Sequence, residues 1–175
     1  VITVVQKTTS NTVDNIVVLI NATESGSLAI HTLATSAAAA ITGTRRDDAA
    51  SSVGVTTTQT VTNATPTILS WTFFGTTAAV HKDGAATSVV ITTQNVGTCT
   101  FGIFRLGAAG AGGNPLDGDI AEVIVYNRAL SPNERFAVEQ YLAAKWGLSA
   151  PATTRPIATP RTVATERTKA GTLPS

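Results

Sequence analysis

Residues 116–147 read LDGDIAEVIVYNRALSPNERFAVEQYLAAKWG, a strand pattern followed directly by a helix pattern. The strand pattern is an apolar run that begins after Gly118. Three carboxylates, those of Asp117, Asp119 and Glu122, lie within six residues at its start. Carboxylates grouped in this way are typical of acid/base chemistry. The same group also fits the ordinary beginning of a strand, so both interpretations have to be weighed.

The second half of the stretch predicts a short C-terminal helix over about residues 131–146. Ser131 suits the N-cap, Pro132 the first helical position and Glu134 the third, which together make a capping box. Gly147 is placed to end the helix in the left-handed conformation. Side chains that recur at helical spacing predict one buried stripe. Its members are Val138, Tyr141, Leu142, Lys145 and Trp146.

Residues 1–125 alternate short β-like runs with turn residues. The runs are Ile2–Gln6, Asn15–Asn21, Ser27–Leu33, Val53–Thr62, Thr67–Phe74, Ala78–Lys82, Ser88–Thr93 and Thr100–Leu106. Asp83-Gly84 supplies the positive φ angles of a tight hairpin turn. Residues 36–43, SAAAAITG, are interpreted as strand or loop because their neighbours are strands. Strands at this spacing predict an all-β antiparallel sandwich or barrel.

The composition argues against several classes of protein. Charged residues make up only 13% of the 175 residues, and the formal net charge is +1. The body lacks the clustered Lys and Arg that nucleic acid requires, so no nucleic-acid partner is expected. No apolar run approaches the ~20 residues of a membrane-spanning helix. The single cysteine, Cys99, excludes an internal disulfide and a Cys-based zinc site.

Metal ligands are sparse in the sequence. His31 and His81 lie far apart and form no metal-binding motif. No cofactor is therefore expected. Calcium stays open as the one alternative, at Asp47-Asp48 together with Asp83 or Asp14, although no loop has the dense ligand pattern of a strong calcium site.

Residues 149–175, SAPATTRPIATPRTVATERTKAGTLPS, differ in character from the body. Pro, Thr, Ala and Arg dominate, and no apolar period remains. Such a segment cannot bury enough apolar surface to fold alone, so an extended, partly polyproline-like arm is expected. The chain also opens in mid-pattern with VITVV, which we interpret as a processed or truncated start.

From Phe101 onward the chain resembles the C-terminal part of laminin-G-like, or concanavalin A-like, jelly-roll domains. The matching positions are Gly118, Ile120, Glu122, Val123, Tyr126, Arg128, Leu130 and Ser131. The stretch TPTILSWTFFGTTAAVHKDGAA at residues 65–86 is similar to the central hairpin of that family. The resemblance implies a two-sheet jelly roll over residues 1–148, with its N-terminal strand possibly missing, followed by the arm at 149–175. It does not imply a function.

The carboxylates also resemble the signature of laminarinase-like glycoside hydrolases of the same fold. That resemblance implies Asp117 as nucleophile, Asp119 as helper and Glu122 as acid/base. Glu122 has the opposite strand parity to the other two, so it reaches their face only through a bulge. The laminin-G pattern instead makes Glu122 a structural carboxylate that accepts hydrogen bonds from backbone or from Arg128. We favour the structural interpretation and assign no catalytic residue.

The function expected from these features is a non-enzymatic structural or interaction module. The most suitable setting is a virion surface, as a phage capsid decoration or tail-associated protein whose arm docks on other chains of a homo-oligomer or viral shell. The residues expected in that contact are Arg155, Pro156, Pro160, Arg161 and Arg167. The alternative is an extracellular carbohydrate-binding module with Trp71, Phe73 or Phe74 as the aromatic platform for a glycan.

Overall fold

The computed structural model describes residues 1–8, 14–20, 29–35, 40–46, 52–74, 77–85, 102–108, 114–149 and 151. Within these residues the chain forms nine strands and one helix. In chain order they are β1 Ile2–Lys7, β2 Asp14–Ile20, β3 Ala29–Thr35, β4 Ala40–Arg46, β5 Ser52–Thr60, β6 Thr67–Phe74, β7 Thr77–Lys82, β8 Ile103–Leu106, β9 Gly118–Ile124 and α1 Pro132–Trp146.

The strands form two antiparallel sheets. The four-stranded sheet has the order β7-β6-β1-β9, and the five-stranded sheet has the order β5-β4-β3-β2-β8. In the four-stranded sheet, β1 lies between β6 and β9, which are far from it in sequence. This confirms the predicted all-β, two-sheet antiparallel sandwich with one C-terminal helix.

The main core lies between the two sheets. Leu69 and Trp71 on β6 pack with Val17 on β2 and Ile41 on β4, and all four side chains are buried. The alternation of strands places these residues on facing surfaces. The core therefore joins elements from both sheets into one unit.

A second apolar layer lies between α1 and the outer face of the four-stranded sheet. Ile2 and Val4 on β1 and Ile68 on β6 pack there against Leu142 and Ala143 of the helix. Strand β1 is covered by the other sheet on one face and by α1 on the other. Successive β1 residues are buried for this reason, instead of alternating with exposed ones.

The predicted start and end of the helix are confirmed. The Ser131 hydroxyl accepts a hydrogen bond from the backbone N–H of Glu134, and the Glu134 carboxylate accepts one from the backbone N–H of Ser131. Pro132 is the first helical residue. Gly147 ends the helix with φ 66° and ψ 29°, in the left-handed region.

The predicted buried stripe of α1 is only partly right. Leu142 is buried, but Tyr141, Lys145 and Trp146 are exposed. Glu139 and Ala143 are the other buried residues of the helix. The small side chain of Ala143 lies against the sheet. The free-energy cost of burying the Glu139 carboxylate is offset by polar partners, which are described below.

The predicted strands agree with the structure to within a few residues at each end. Residues 36–43, interpreted from the sequence as strand or loop, overlap β4 at Ala40–Arg46. Asp83 and Gly84 have φ angles of 49° and 73°, and Ala85 N–H donates to the Lys82 carbonyl at 2.8 Å, which confirms the tight turn. The predicted strand Ser88–Thr93 lies outside the described residues. In the described part of the chain no helix is long and apolar enough to span a membrane.

Candidate functional site

The group of carboxylates lies on edge strand β9, which begins at Gly118. A Cβ atom on Gly118 would lie 2.1 Å from the Gln6 carbonyl oxygen of β1, so only glycine allows this close approach. Asp117, just before it, accepts a backbone hydrogen bond of 2.8 Å from Thr8 N–H through its carbonyl. The loop before β9 is thereby fastened to the end of β1.

A β-bulge at Ala121 changes which face Glu122 occupies. Val4 of β1 lies opposite Glu122, whereas the next residue, Val5, lies opposite Ile120. Cross-strand partners project to the same face. Val4 belongs to the layer under α1 and Val5 to the core between the sheets, so Glu122 lies on the helix side of the sheet and Ile120 on the core side.

The bulge brings two of the predicted carboxylates to one face. Asp119 lies opposite Gln6, which follows Val5 and therefore projects to the helix side. Asp119 and Glu122 consequently share that face, as the glycosidase interpretation required. The face is the one against which α1 packs.

Glu122 is held by the end of the helix. Its Oε2 atom accepts a hydrogen bond of 2.9 Å from Trp146 Nε1 and forms an ion pair of 2.9 Å with Lys145 Nζ. The Lys145 hydrogen bond, followed by that of Trp146, lowers the pKa of the Glu122 carboxyl. The carboxylate thus ties strand β9 to the last turn of α1.

The expected contact between Glu122 and Arg128 is wrong. Arg128 instead forms a two-pronged ion pair with Glu134, with Nη1–Oε2 and Nη2–Oε1 distances of 2.9 and 2.7 Å. Glu134 also accepts the capping hydrogen bonds of Ser131. The Arg128 guanidinium, followed by the backbone and side chain of Ser131, lowers the pKa of Glu134 to about 2. The laminin-G pattern suggests Arg128 as a partner of Glu122, but α1 returns across the sheet after the capping turn and brings Lys145 and Trp146 to Glu122 instead.

The aromatic platform expected at Trp71 is also wrong. Trp71 is only 5% exposed and belongs to the core between the sheets. The side chains of Phe73 and Phe74 lie outside the described residues. Among the described residues, three large aromatic side chains are exposed: Phe104 on β8 at 46%, and Tyr141 at 50% and Trp146 at 41% on α1.

Tyr141 and Trp146 form one surface feature with Lys145, which we call the Trp146 platform. The Lys145 Nζ atom lies 5.5 Å from the centre of the Tyr141 ring and 5.6 Å from that of Trp146, within cation–π range of both. The Glu122 carboxylate contacts both Lys145 and Trp146 and so connects the platform to strand β9. The indole is therefore both exposed and fixed in orientation.

A buried polar cluster lies under the middle of α1. Glu139 is fully buried, accepts a short hydrogen bond from the Ser70 hydroxyl and forms an ion pair with Arg135 one turn earlier on the helix. His81 lies directly opposite Ser70 in the pairing of β6 and β7. Burial, followed by the nearby Arg135, lowers the pKa of His81 to about 4. These groups anchor the helix to the sheet, and no sequence motif had pointed to them.

A second buried ion pair lies at one end of the sandwich. Lys7 Nζ of β1 is 2.7 Å from Asp14 Oδ2 of β2 and donates a hydrogen bond of 2.8 Å to Thr35 Oγ1 of β3. The Lys7 and Asp14 side chains are 0% and 1% exposed. The pair connects the two sheets, a role that sequence analysis missed.

The calcium alternative gains no support from the residues that can be placed. Asp14 is engaged by Lys7, and Asp83 Oδ1 accepts a 2.9 Å hydrogen bond from Ile68 N–H. The described residues contain no group of three or more His, Cys, Asp or Glu side chains that could hold a metal ion. Asp47 and Asp48 lie outside the described residues.

The base of the C-terminal arm is anchored to the body. Pro151 is buried, and a Cβ atom on Gly84 would lie 2.2 Å from its Cβ, so Pro151 packs on the hairpin turn after β7. The predicted contact residues of the arm lie outside the described residues, so they stay a prediction. They are Arg155, Pro156, Pro160, Arg161 and Arg167.

The comparison with protein families places the chain in a known superfamily. The family model for laminin-G domains of the concanavalin A-like lectin/glucanases superfamily matches residues 4–134. The chain therefore belongs to this superfamily, which confirms the resemblance and supports a carbohydrate-binding or structural module. Because the superfamily includes glucanases as well as lectins, membership alone does not decide between binding and catalysis. A search among curated proteins gave no match.

Proposed function

We propose that this protein is a non-enzymatic structural module, held in a protein assembly through its C-terminal arm at residues 149–175. The observation that carries the proposal is the packing of Pro151 on Gly84. This contact fixes the point at which the arm leaves the sandwich. An arm with a fixed base loses less conformational freedom on binding a neighbour than one that swings freely.

The state of Glu122 supports binding over catalysis. A general acid in a glycosidase needs a raised pKa so that it carries a proton at working pH. The pKa of Glu122 is lowered by Lys145 and Trp146, which keeps the carboxylate charged. Its face of the sheet is also the face that α1 covers. Both features are consistent with a structural role in which Glu122 connects α1 to β9.

The assembly that we propose is a virion, with the protein as a capsid decoration or tail-associated component. Its low content of charged residues and its strand-rich body of Thr, Ala, Val and Gly support this setting. The arm would make main-chain hydrogen bonds with a sheet edge or lie in a groove, and its prolines would limit the entropic cost of ordering. The virion or extracellular surface is the corresponding location.

Carbohydrate binding is the second candidate, and the exposure of Tyr141 and Trp146 favours it. Aromatic rings supply large, rigid contact area at a small entropic cost. The superfamily includes lectins, which adds to this alternative.

Truncation after Pro151 tests the main proposal. The cut keeps the buried proline and removes residues 152–175. We expect the truncated protein to keep the circular dichroism spectrum and melting temperature of the full chain while losing incorporation into its assembly. Normal occupancy of the truncated protein would refute a role of the arm in docking. Retention of glycan binding in the truncated protein, together with loss of binding in Trp146→Ala, would favour the second candidate.

A further inference from the structure

The Trp146 platform has the features of a docking surface for proline. Tyr141 and Trp146 are exposed, and the hydrogen bond to Glu122 holds the indole still. Extended proline-rich segments bind to surfaces lined with aromatic rings because the polyproline II conformation is already ordered before binding. A fixed, exposed indole beside a tyrosine ring offers such a surface.

The C-terminal arm has the composition that such a surface would bind. Pro156 and Pro160 lie four residues apart, and Arg155 and Arg161 flank them. Residues 149–175 contain four basic residues and one acidic residue. The arm is therefore cationic as well as rich in proline.

The charges at the platform are negative on balance, because the carboxylates of Asp119 and Glu122 outnumber the ammonium group of Lys145. Asp119 is exposed and shares the helix-side face of β9 with Glu122. An arm that lies along β9 would bring Arg155 and Arg161 close to these carboxylates. Arginine is well suited to such contacts because its planar guanidinium binds a carboxylate through two hydrogen bonds.

The positions of the arm's base and of the platform indicate which copy of the protein is bound. The arm leaves the body at Gly84, next to edge strand β7, whereas the platform lies at the opposite edge of the same sheet, against β9. Three strand spacings, about 14 Å at ~4.8 Å each, separate the two edges. Between Trp146 and Pro151 the chain passes from the β9 edge to the β7 edge, so an arm that bound its own platform would have to reverse this course, whereas an arm that bound a neighbour's platform would not.

We propose that the arm of one copy binds the Trp146 platform of a second copy, with Pro156 or Pro160 on the indole and Arg155 or Arg161 beside Asp119 and Glu122. This inference rests on the proposed arm-docking function and names its partner. Residues 152–175 would extend about 70 Å at ~3.1 Å per residue, enough to reach a neighbour. Because donor and acceptor surfaces differ, the contact is head-to-tail and generates a ring or a filament.

The test compares variants of the full chain by sedimentation velocity over a range of concentrations. We expect the unmodified chain to self-associate, and Trp146→Ala and the double variant P156A/P160A each to weaken association at least tenfold. Combining all three changes should weaken it no further, because they remove the same contact. Trp146→Phe, which keeps an aromatic ring, should retain most of the association. Gln140→Ala, on the exposed face of the same helix, is the matched control and should have no effect.

The outcomes separate this inference from the proposed function. If truncation after Pro151 abolishes assembly but Trp146→Ala and P156A/P160A leave it intact, the arm binds elsewhere and the platform proposal is overturned. If the unmodified chain stays monomeric at every concentration, or if Trp146→Ala loses only polysaccharide binding, the platform proposal is again overturned. If the truncated protein still assembles, both proposals fail.

Discussion

The indole of Trp71 occupies the space that a side chain at Gly43 would need: a Cβ atom on Gly43 would lie 0.7 Å from Cζ3 of Trp71. Gly43 is on β4 of the five-stranded sheet, and Trp71 is on β6 of the four-stranded sheet. The ring therefore reaches across the sandwich and lies against the backbone of the facing sheet. Protein cores are packed too densely to accept an added methyl group here without movement of the ring or of the sheets.

Gly43→Ala should therefore destabilise the sandwich. We expect the free energy of unfolding to fall by about 1–3 kcal/mol, the usual cost of overpacking a core, or by more if the sheets separate. Urea denaturation followed by tryptophan fluorescence measures this change. The double variant Gly43→Ala/Trp71→Leu should lose less than the sum of the two single variants, because the smaller side chain makes room for the methyl group. Unchanged stability in Gly43→Ala would contradict the packing of the indole on β4.

Local signals in the sequence were sufficient for the fold class and for several of its details. The capping box of Ser131 and Glu134 and the turn at Asp83-Gly84 each depend on residues close together in the chain, and both were predicted correctly. The parity argument also showed that Glu122 would need a bulge to join Asp119. The buried face of α1 was predicted only in part, because that face depends on where the helix meets a distant sheet.

The parts of the site that sequence analysis missed involve residues far apart in the chain. Trp146 was expected to be buried because it fits the helical period, yet it reaches over the sheet edge to Glu122, 24 residues away. Glu139 is not part of the predicted stripe, yet it is buried, and its partner Ser70 lies 69 residues away. No local pattern contains these partners.

Lys7 and Asp14 should stabilise the protein only in each other's presence, so that removing one should cost more free energy of unfolding than removing both. Lys7→Met or Asp14→Leu leaves one charge buried without its partner, and we expect each to lower the free energy of unfolding by about 3–5 kcal/mol. The double variant replaces the pair by apolar side chains of similar size and should recover most of that loss. Chemical denaturation of all four proteins forms a double-mutant cycle. A double variant as unstable as the sum of the singles would show that the two groups act independently.

The environment of His81 should make stability depend on pH in the mildly acidic range. Burial, with a contribution from Arg135, lowers its pKa to about 4 from an ordinary value of 6.5. Between these two values the unfolded chain binds a proton at this histidine and the folded protein does not, so stability falls as pH is lowered from 6.5 towards 4. Among the described residues of α1, Arg135 and Glu139 are charged groups that face this part of the sheet.

His81→Asn should remove this part of the pH dependence. We expect its free energy of unfolding to change less than that of the unmodified protein between pH 6.5 and 4, as measured by denaturation at several pH values. The imidazole signals in proton NMR should give a pKa near 4 for His81. His31→Asn assigns the two histidine signals and serves as the control. A His81 signal that titrates at its ordinary value would contradict the burial of this side chain.

The substitution Glu122→Gln distinguishes a structural role of this carboxylate from a catalytic one. The amide oxygen can still accept the hydrogen bond from Trp146 Nε1, but the ion pair with Lys145 is lost. Because these partners lower the pKa of Glu122, its contribution to stability is present above the unfolded pKa and is lost as pH falls through the folded value. We therefore expect the variant to be modestly less stable at pH 7 and to match the unmodified protein in strong acid. Glu134→Gln, which breaks the separate Arg128 ion pair, is the matched control for stability, and neither substitution should alter hydrolysis.

Measured against laminarin, the unmodified protein should release no more reducing sugar than a blank; hydrolysis that disappears in Glu122→Gln alone would establish this residue as catalytic.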